Sequence, residues 1–409
     1  MSSDLHAELG KLLDSDRVRP PREYETAIAR VVAEPANLSE LGELILKCER
    51  DRVMIAPIGA CRTILHLRSQ PVDAAVSLVR MPPTISHEPD DMTVVAGAGI
   101  TLAALATALG RHGQYLPVDP AFPERTTVGA MLAAAQGGPL RLSAGTARDF
   151  LIGVQFVGHG GRIVRGGGRV VKNVAGYDLM KVMIGSFGTL GIITEATFKV
   201  RPLPEVYVAV LSHHAEMLEG FEAGFRLHEA LPLLHLELLS PGLRMPLARD
   251  GHYLLAAGVG GNRPDVDYQV DEIRKTLPGS VVLEGGDAQK FYRAVRDVEL
   301  PETSVKMQIS VLPRQLPACL KAHAAHFRAH VASGVAQAAL NGDAQAVVRL
   351  RSAAVVARGN ARVLAMDPAL RGAAFFDEPA AGVLKLMRGL KTAFDPAGIF
   401  NPGCFVGGI

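Results

Sequence analysis

Leu38, Leu41, Leu44, Ile45 and Cys48 recur at three- and four-residue intervals, which predicts a helix over residues 35–50. Ser39 and Glu40 suit its start, because negative charge complements the positive end of a helix. Short apolar runs at 53–57, 76–79 and 93–99 read as buried strands, the first running into a glycine turn at Gly59. Thr101 suits the cap of a helix with Leu102, Leu105, Ala106 and Leu109 on one face. Residues 195–200 alternate as a half-buried strand, and Arg201-Pro202-Leu203-Pro204 breaks it, which sets a domain boundary. Beyond the break, strands are predicted at 206–211, 234–239, 253–259 and 305–312, and helices at 216–229, 264–277 and 317–331. Such runs fit an antiparallel sheet with helices on one side, hence an α+β chain. A last helix at 384–394 is closed by Asp395-Pro396-Ala397-Gly398, and the polar start, residues 1–16, reads as a loosely attached arm.

Composition narrows the function. The 409 residues suffice for two or three domains, and 48% hydrophobic against 21% charged excludes disorder. Lys and Arg total 43 against 41 Asp and Glu, without a long basic run, so the chain shows no nucleic-acid footprint. No apolar stretch reaches the ~18 residues of a membrane span. The start Met1-Ser2-Ser3-Asp4 lacks signal-peptide character, so a soluble cytoplasmic protein is expected. Cys48, Cys61, Cys319 and Cys404 stand far apart and read as reduced thiols, with no spacing for zinc or an iron–sulfur cluster and no metal site. The dinucleotide, P-loop, zincin and nucleophile-elbow fingerprints are absent, Gly97-Ala98-Gly99 being half of the first.

The glycines crowd between Gly97 and Gly191, in or beside three segments able to cradle a dinucleotide. The first holds Gly59, Ala60, Cys61, Arg62 and Thr63; the second runs from Pro117 through Thr127, Val128 and Gly129 to Gly137 and Gly138; the third spans Gly185 to Thr194. Converging backbone N–H groups there would bind a pyrophosphate. These segments occur with His87-Glu88-Pro89-Asp90-Asp91-Met92-Thr93, Gly167-Gly168-Arg169-Val170-Val171-Lys172-Asn173-Val174-Ala175-Gly176-Tyr177-Asp178 and Phe394-Asp395-Pro396-Ala397-Gly398-Ile399-Phe400-Asn401-Pro402-Gly403. Together they resemble the p-cresol methylhydroxylase-type FAD-binding domain of the vanillyl-alcohol oxidase superfamily. Within it the resemblance is nearest to the small FAD-binding subunits of bacterial glycolate oxidase (glycolate dehydrogenase).

The resemblance implies two α+β subdomains holding FAD noncovalently (17–204), an α+β cap domain (205–383), and a C-terminal segment returning to the flavin (384–409). It implies that the three segments face the pyrophosphate, that Asp149 lines the cofactor, that Ile192 and Ile193 meet the adenine, and that Asn401 approaches the flavin. Lys172, Asn173 and Tyr177 either adjoin the flavin or belong to a loop pinned by an ion pair. Relatives carry consecutive glycines in the first loop, and some attach flavin there through histidine; here Cys61 stands in that place, as a packed thiol or a thioether.

Relatives that oxidise D-2-hydroxy acids show G-D-G-N-[LI]-H in the cap. This chain has only Asn341-Gly342-Asp343, and no catalytic residue is legible. His213, His214, His228, His235 and His252 read as surface or satisfied core residues, and His323 with His326 as one solvated helix face. Arg349, Arg351 and Arg358 are expected on an exposed strand or an interface with an acidic partner. The expected role is thus an electron-relaying FAD subunit of a glycolate dehydrogenase complex. Its partners would be a larger FAD-containing subunit and an iron–sulfur subunit, with any membrane association made through them. The alternatives are a self-sufficient D-lactate-like dehydrogenase and a pseudo-flavoprotein scaffold.

Overall fold

The computed structural model describes residues 2–59, 71–168, 178–303, 305–341, 344–367, 370 and 376–409. It begins with helix α1 (Ser2–Leu13), followed by a sheet of β1 (Val18–Arg19), β2 (Ala29–Ala33), β3 (Ile55–Ile58) and β4 (Val72–Ser77) in the order β1-β2-β4-β3. Strands β2 and β3 run parallel to β4, and β1 is antiparallel to β2. Helix α2 (Leu38–Asp51) supplies the crossover, capped by Asn37, whose side chain accepts from the Glu40 N–H at 3.0 Å. The cap falls inside the predicted range 35–50, two residues before Ser39. Leu41, Leu44, Ile45 and Cys48 form the buried stripe of α2 and meet Ile55, Ala74 and Val76.

The start of the chain corrects one expectation. Leu9 and Leu13 of α1 are fully buried in that same core, so residues 2–13 are a structural helix rather than a loose arm. Their spacing of four places both on one helix face, a signal that the surrounding polar residues mask.

The second subdomain is an antiparallel sheet of β5 (Ile85–Glu88), β6 (Thr93–Gly97), β8 (Leu151–Val157), β9 (Ile163–Gly167) and β10 (Ile192–Lys199), ordered β5-β6-β10-β8-β9. A short ribbon joins β7 (Gln114–Tyr115) to β11 (Arg201–Pro202) at the predicted break. Helices α3 (Leu102–Gly110), α4 (Val128–Ala133), α5 (Arg141–Ala144), α6 (Ala147–Phe150) and α7 (Leu179–Met183) occupy the connections. Thr101 caps α3 as predicted, accepting from the Ala104 N–H at 3.2 Å.

The third part is one eight-stranded antiparallel sheet of β12 (Val206–His214), β13 (His235–Leu239), β14 (Tyr253–Gly261), β15 (Val281–Glu284), β16 (Val305–Ser310), β17 (His326–His330), β18 (Val335–Leu340) and β19 (Asn360–Met366). Its order is β15-β12-β14-β13-β17-β18-β16-β19. Helices α8 (Met217–Ala230), α9 (Arg263–Thr276), α11 (Leu316–His323) and α12 (Ala344–Val356) bury one face against Val210, Leu236, Leu255, Met307 and Phe327. Helix α10 (Gly285–Asp297) lies on the opposite face, where Phe291 and Val295 meet Ala209, Leu239 and Ala256. Helix α13 (Ala381–Phe394) then returns the chain to the first subdomain.

Three sequence expectations fail in this part. Helices flank both faces of the sheet rather than one, because Phe291 and Val295 give α10 an apolar stripe of its own. The helix at 317–331 stops at His323, and His326 to His330 form β17, because His-Phe-Arg-Ala-His alternates with period two. His323 and His326 therefore share no helix face, and His326 donates from Nδ1 to the Pro241 carbonyl at 3.0 Å. Arg349 and Arg351 lie on a helix, not an exposed strand, and Arg351 pairs with Asp377 at 2.9 Å.

The buried position of α1 is testable. Leu13→Ala should cost about 2–5 kcal/mol of folding stability, read from the urea denaturation midpoint. An unchanged midpoint would restore the loose arm.

Candidate functional site

A groove enclosing about 410 Å³ runs between the two sheets of the first domain, within the ~300–1,000 Å³ range of small-molecule sites. The fold brings parts of all three glycine-bearing segments into its lining: Gly59; Thr127, Gly129 and Gln136; and Gly188, Gly191, Ile192 and Ile193. The walls depend on backbone-close packing. Gly188 has φ +70°, and a Cβ there would fall 2.3 Å from Cγ of Pro57, so the third segment crosses the end of β3 only as glycine. Gly129 donates its N–H to the Ala98 carbonyl at 2.9 Å; an added Cβ would sit 3.0 Å from the Ala98 Cβ and 3.1 Å from its oxygen. Space at Gly129 is thus limited by the groove floor, whereas the sequence reading assigned it to the ligand.

One end of the groove carries residues that sequence reasoning missed. Arg19 forks onto Glu25 at 2.7 and 3.0 Å and reaches Glu34 at 2.8 Å, while Arg80 meets Glu34 at 3.2 Å. Both carboxylates are buried. Burial acts to raise the Glu25 carboxyl, but Arg19 and the Arg22 N–H outweigh it and hold the group below its usual range. At the exposed mouth Arg22 donates to the Tyr24 hydroxyl at 2.9 Å, setting a cation beside an aromatic ring. The one sequence signal was Glu34, a charge closing the buried run Val31-Val32-Ala33.

The other predicted residues take different places. Val128 is fully buried beneath the groove. Pro117, Gly137, Gly138 and Asp149 are outside the lining. Asp149 completes a capping box, accepting from the Thr146 N–H at 2.8 Å, and its side chain faces solvent. Asn401 is fully buried and donates from Nδ2 to the Phe187 carbonyl at 2.6 Å, anchoring the tail behind a residue that lines the groove. Ala60, Cys61, Arg62, Thr63, Lys172, Asn173 and Tyr177 lie outside the described residues.

From Gln136 on the groove wall, residues 136–141 lead to a second polar site, where the first domain meets the face of the large sheet opposite its apolar core. Asp119 accepts from the Tyr292 hydroxyl and from the Leu140 N–H, at 3.2 Å. A Cβ on Gly138 would fall 1.9 Å from the Asp119 carbonyl oxygen, so the two loops pack backbone to backbone. Burial pushes the Asp119 carboxyl up to about 7, with the Tyr292 and Leu140 hydrogen bonds pulling the other way. Asp297 accepts from the Phe122 N–H at 2.8 Å, a second tie across the junction.

On the sheet, Tyr207 and His235 share a hydrogen bond of 2.8 Å, and His330 donates from Nδ1 to Glu237 at 2.7 Å. His235 is completely buried, which lowers its pKa to about 4 and keeps it neutral. Arg328, Gln337, Gln308 and Arg362 stand opposite one another across β17, β18, β16 and β19. Arg328 donates to Gln337 at 3.1 Å and Arg362 to Gln308 at 3.2 Å. Arg328 also donates to the carbonyls of Val295 and Arg296 at 3.3 and 2.7 Å, closing the negative end of α10. None of these residues except His235 was singled out from sequence. Among the described residues, no group of three or more His, Cys, Asp or Glu is placed to hold a metal, Cys48, Cys319 and Cys404 are buried, and no helix is long and apolar enough to cross a membrane.

Residues 29–167 match the model of the FAD binding domain, and 376–404 that of the C-terminal domain of FAD linked oxidases. The chain is similar to glycolate oxidase subunit GlcE of Escherichia coli, 39% identical over 127 residues, which is 31% of this chain and 36% of that protein. It is also similar to D-lactate dehydrogenase of Archaeoglobus fulgidus, 34% identical over 173 residues, 42% of this chain and 39% of that protein. Each match spans well under half of the relative's length. The whole fold matches a solved alkyldihydroxyacetonephosphate synthase with a TM-score of 0.70 at 16% identity, covering 98% of this chain and 84% of that one.

The cofactor is FAD, and the groove fits it. Leu78, Ala98, Ala130, Ala133 and Ile193 give apolar walls for flat rings, and Ser77, Thr101 and Thr127 add hydroxyls. FAD supplies the electron acceptor, and the chain supplies position and charge.

Two predictions follow from these contacts. Gly129→Val should drive the branched side chain into Ala98, lowering the melting temperature and the flavin-to-protein absorbance ratio together; full flavin occupancy would place the cofactor elsewhere. The raised Asp119 carboxyl fixes the sign of a pH effect. Its stabilising contribution is complete below the ordinary value near 4 and is lost as pH rises through about 7. Between about pH 5 and about pH 8 the parent chain should therefore lose melting temperature relative to Asp119→Asn, which cannot ionise.

Proposed function

We propose that this FAD-dependent oxidoreductase is the FAD-binding subunit of a glycolate dehydrogenase complex, and that a small 2-hydroxy acid is oxidised at its own junction. The single observation that carries this reading is the continuity of residues 136–141, which join the groove lined by Gln136 to the cationic, hydrogen-bonding face around Arg141, Arg328 and Arg362. The likeness to GlcE supports glycolate as substrate, with glyoxylate as product. When bound, FAD would supply the acceptor for the hydride equivalent of the carbinol C–H, and the hydroxyl proton would pass to a protein group or to water. The acid needs a cation for its carboxylate, which the junction offers. A larger FAD-containing subunit and an iron–sulfur subunit would take the electrons onward, in the cytoplasm.

A second reading keeps the chain as a pure electron relay, with substrate bound only by its partner. The missing G-D-G-N-[LI]-H signature favours it. The D-lactate dehydrogenase likeness instead extends the first reading to D-lactate with no partner needed for the chemical step.

Stopped-flow spectroscopy on the purified chain separates these readings. Flavin bleaching by glycolate or D-lactate is expected; an oxidised spectrum that persists until the larger flavoprotein is added would establish the relay. Acid precipitation should release the yellow colour into the supernatant, because the FAD is held noncovalently. Colour that stays with the pellet would show a bond to Cys61 or another residue.

A further inference from the structure

Among the described residues, α12 and α13 present aliphatic faces to water. Val348, Val355 and Val356 of α12 are exposed, Val356 by 85%. Valine is a poor helix former, so three outward valines weaken α12 and return no packing within the chain. On α13, Val383, Leu386 and Leu390 are exposed at the i, i+3 and i+7 spacing of a single stripe, Leu386 by 72%. The inner side of α13 is a different set: Leu384 under Gly407, Lys391 on Asp395, and Phe394 against Phe156. The two exposed faces are neighbours. Asp377 pairs with Arg351 of α12 at 2.9 Å and accepts from the Ala361 N–H at 3.1 Å. Helix α13 begins at Ala381, at most about 14 Å of chain from that anchor.

Charge separates these helices from the rest of the chain. Basic and acidic residues nearly balance overall, at 43 and 41. Residues 344–366 nevertheless hold Arg349, Arg351, Arg358 and Arg362 with no Asp or Glu, and residues 381–394 hold Lys385, Arg388 and Lys391 with none. Arg351, Arg362 and Lys391 are committed to Asp377, Gln308 and Asp395. Arg349, Arg358, Lys385 and Arg388 are exposed, and Arg349 stands two turns before Val356 on the same face. The charge around the aliphatic side chains is therefore of one sign. Pairing each helix with its own counterpart about a twofold axis would oppose like charges with no carboxylate on either helix to answer them. Helices that lie in a membrane surface anchor through Trp or Phe as well as Leu, and neither exposed face carries an aromatic ring. A protein surface with an apolar centre and a rim of Asp and Glu answers both features.

We propose that the outer faces of α12 and α13 form the docking surface for an acidic partner protein, with Val355, Val356 and Leu386 at its centre and Arg349, Arg358 and Lys385 at its rim. Naming that partner as the larger flavoprotein subunit rests on the function proposed above; the surface itself does not.

The probe is a synthetic amphipathic helix with leucine along one face and glutamate on both flanks, labelled and titrated by fluorescence anisotropy with the FAD-loaded chain. Leu386→Gln and Val355→Gln should each weaken its binding about tenfold. Arg349→Glu should slow its association and flatten the salt dependence. Flavin content and melting temperature should stay unchanged, because all three side chains are exposed. Absent binding, or an affinity that none of the variants alters, would overturn the surface. A lysine-flanked peptide binding as tightly would overturn the acidic character of the partner. A dimer in analytical ultracentrifugation that Leu386→Gln breaks would assign the face to a second copy, and variant-sensitive sedimentation with phosphatidylglycerol vesicles would assign it to lipid; either overturns the proposal. Variant-sensitive peptide binding with no binding of the larger flavoprotein upholds the surface and defeats the proposed subunit role alone. Binding of the larger flavoprotein that every variant leaves intact defeats the surface alone.

Discussion

A guanidinium stripped of water must be met by acceptors or by an opposing charge, and the junction between the first domain and the large sheet is organised around that constraint. Arg328 satisfies most of its donors internally, on two carbonyls at the end of α10 and on Gln337. Those contacts fix α10 on the sheet, and α10 in turn carries Tyr292 and Asp297 to the first domain. Placing the sheet face and placing the first domain are therefore one problem. Among the described residues, the Nε–H groups of Arg141 and Arg328 stay unmet, where residues 136–141 arrive from the cofactor groove.

The groove depends on closure of a different kind. The tail beyond α13 adds backbone bonds to β3, with Ile55 donating to Ile399 at 2.8 Å and Asn401 donating to Ile55 at 2.6 Å. Lys391 donates to Thr189 and Phe400 and pairs with Asp395, which joins the last helix to the third glycine segment. Burial lowers the Lys391 pKa, and Asp395 opposes the change. Residues nearly 350 positions apart thus pair along β3, and the segment of the C-terminal match braces the groove from behind its lining.

Local signals carried much of the fold. Thr101 named its helix because a hydroxyl cap acts within one turn, and the break at 201–204 marked the passage to the large sheet because proline acts on its own backbone. The three glycine segments were legible as a set because loops that pack backbone to backbone need glycine, as Gly188 against Pro57 shows. Asp149 was misplaced for a related reason, since a carboxylate three residues after Thr146 serves the helix start first. The junction was invisible because its members come from six strands, α10 and α5, and only register brings Arg328, Gln337, Gln308 and Arg362 into one row. A polar residue at every second position of Val305-Lys306-Met307-Gln308-Ile309-Ser310 reads as a solvent face until another domain is known to cover it.

The same alternation gives the large sheet an evolutionary property. Residues on one face pack against four helices and hold the fold, while their immediate neighbours either pack on α10 or face the junction. Substitutions at the junction-facing positions leave the helix-packed core untouched, so such a sheet can change the size and charge of its polar face by single-codon steps. A one-residue insertion has the opposite effect: it exchanges the two faces and sends Arg328 into the space of Phe327 and Ala329. Along these strands natural variation should therefore be rich in replacements and poor in length changes.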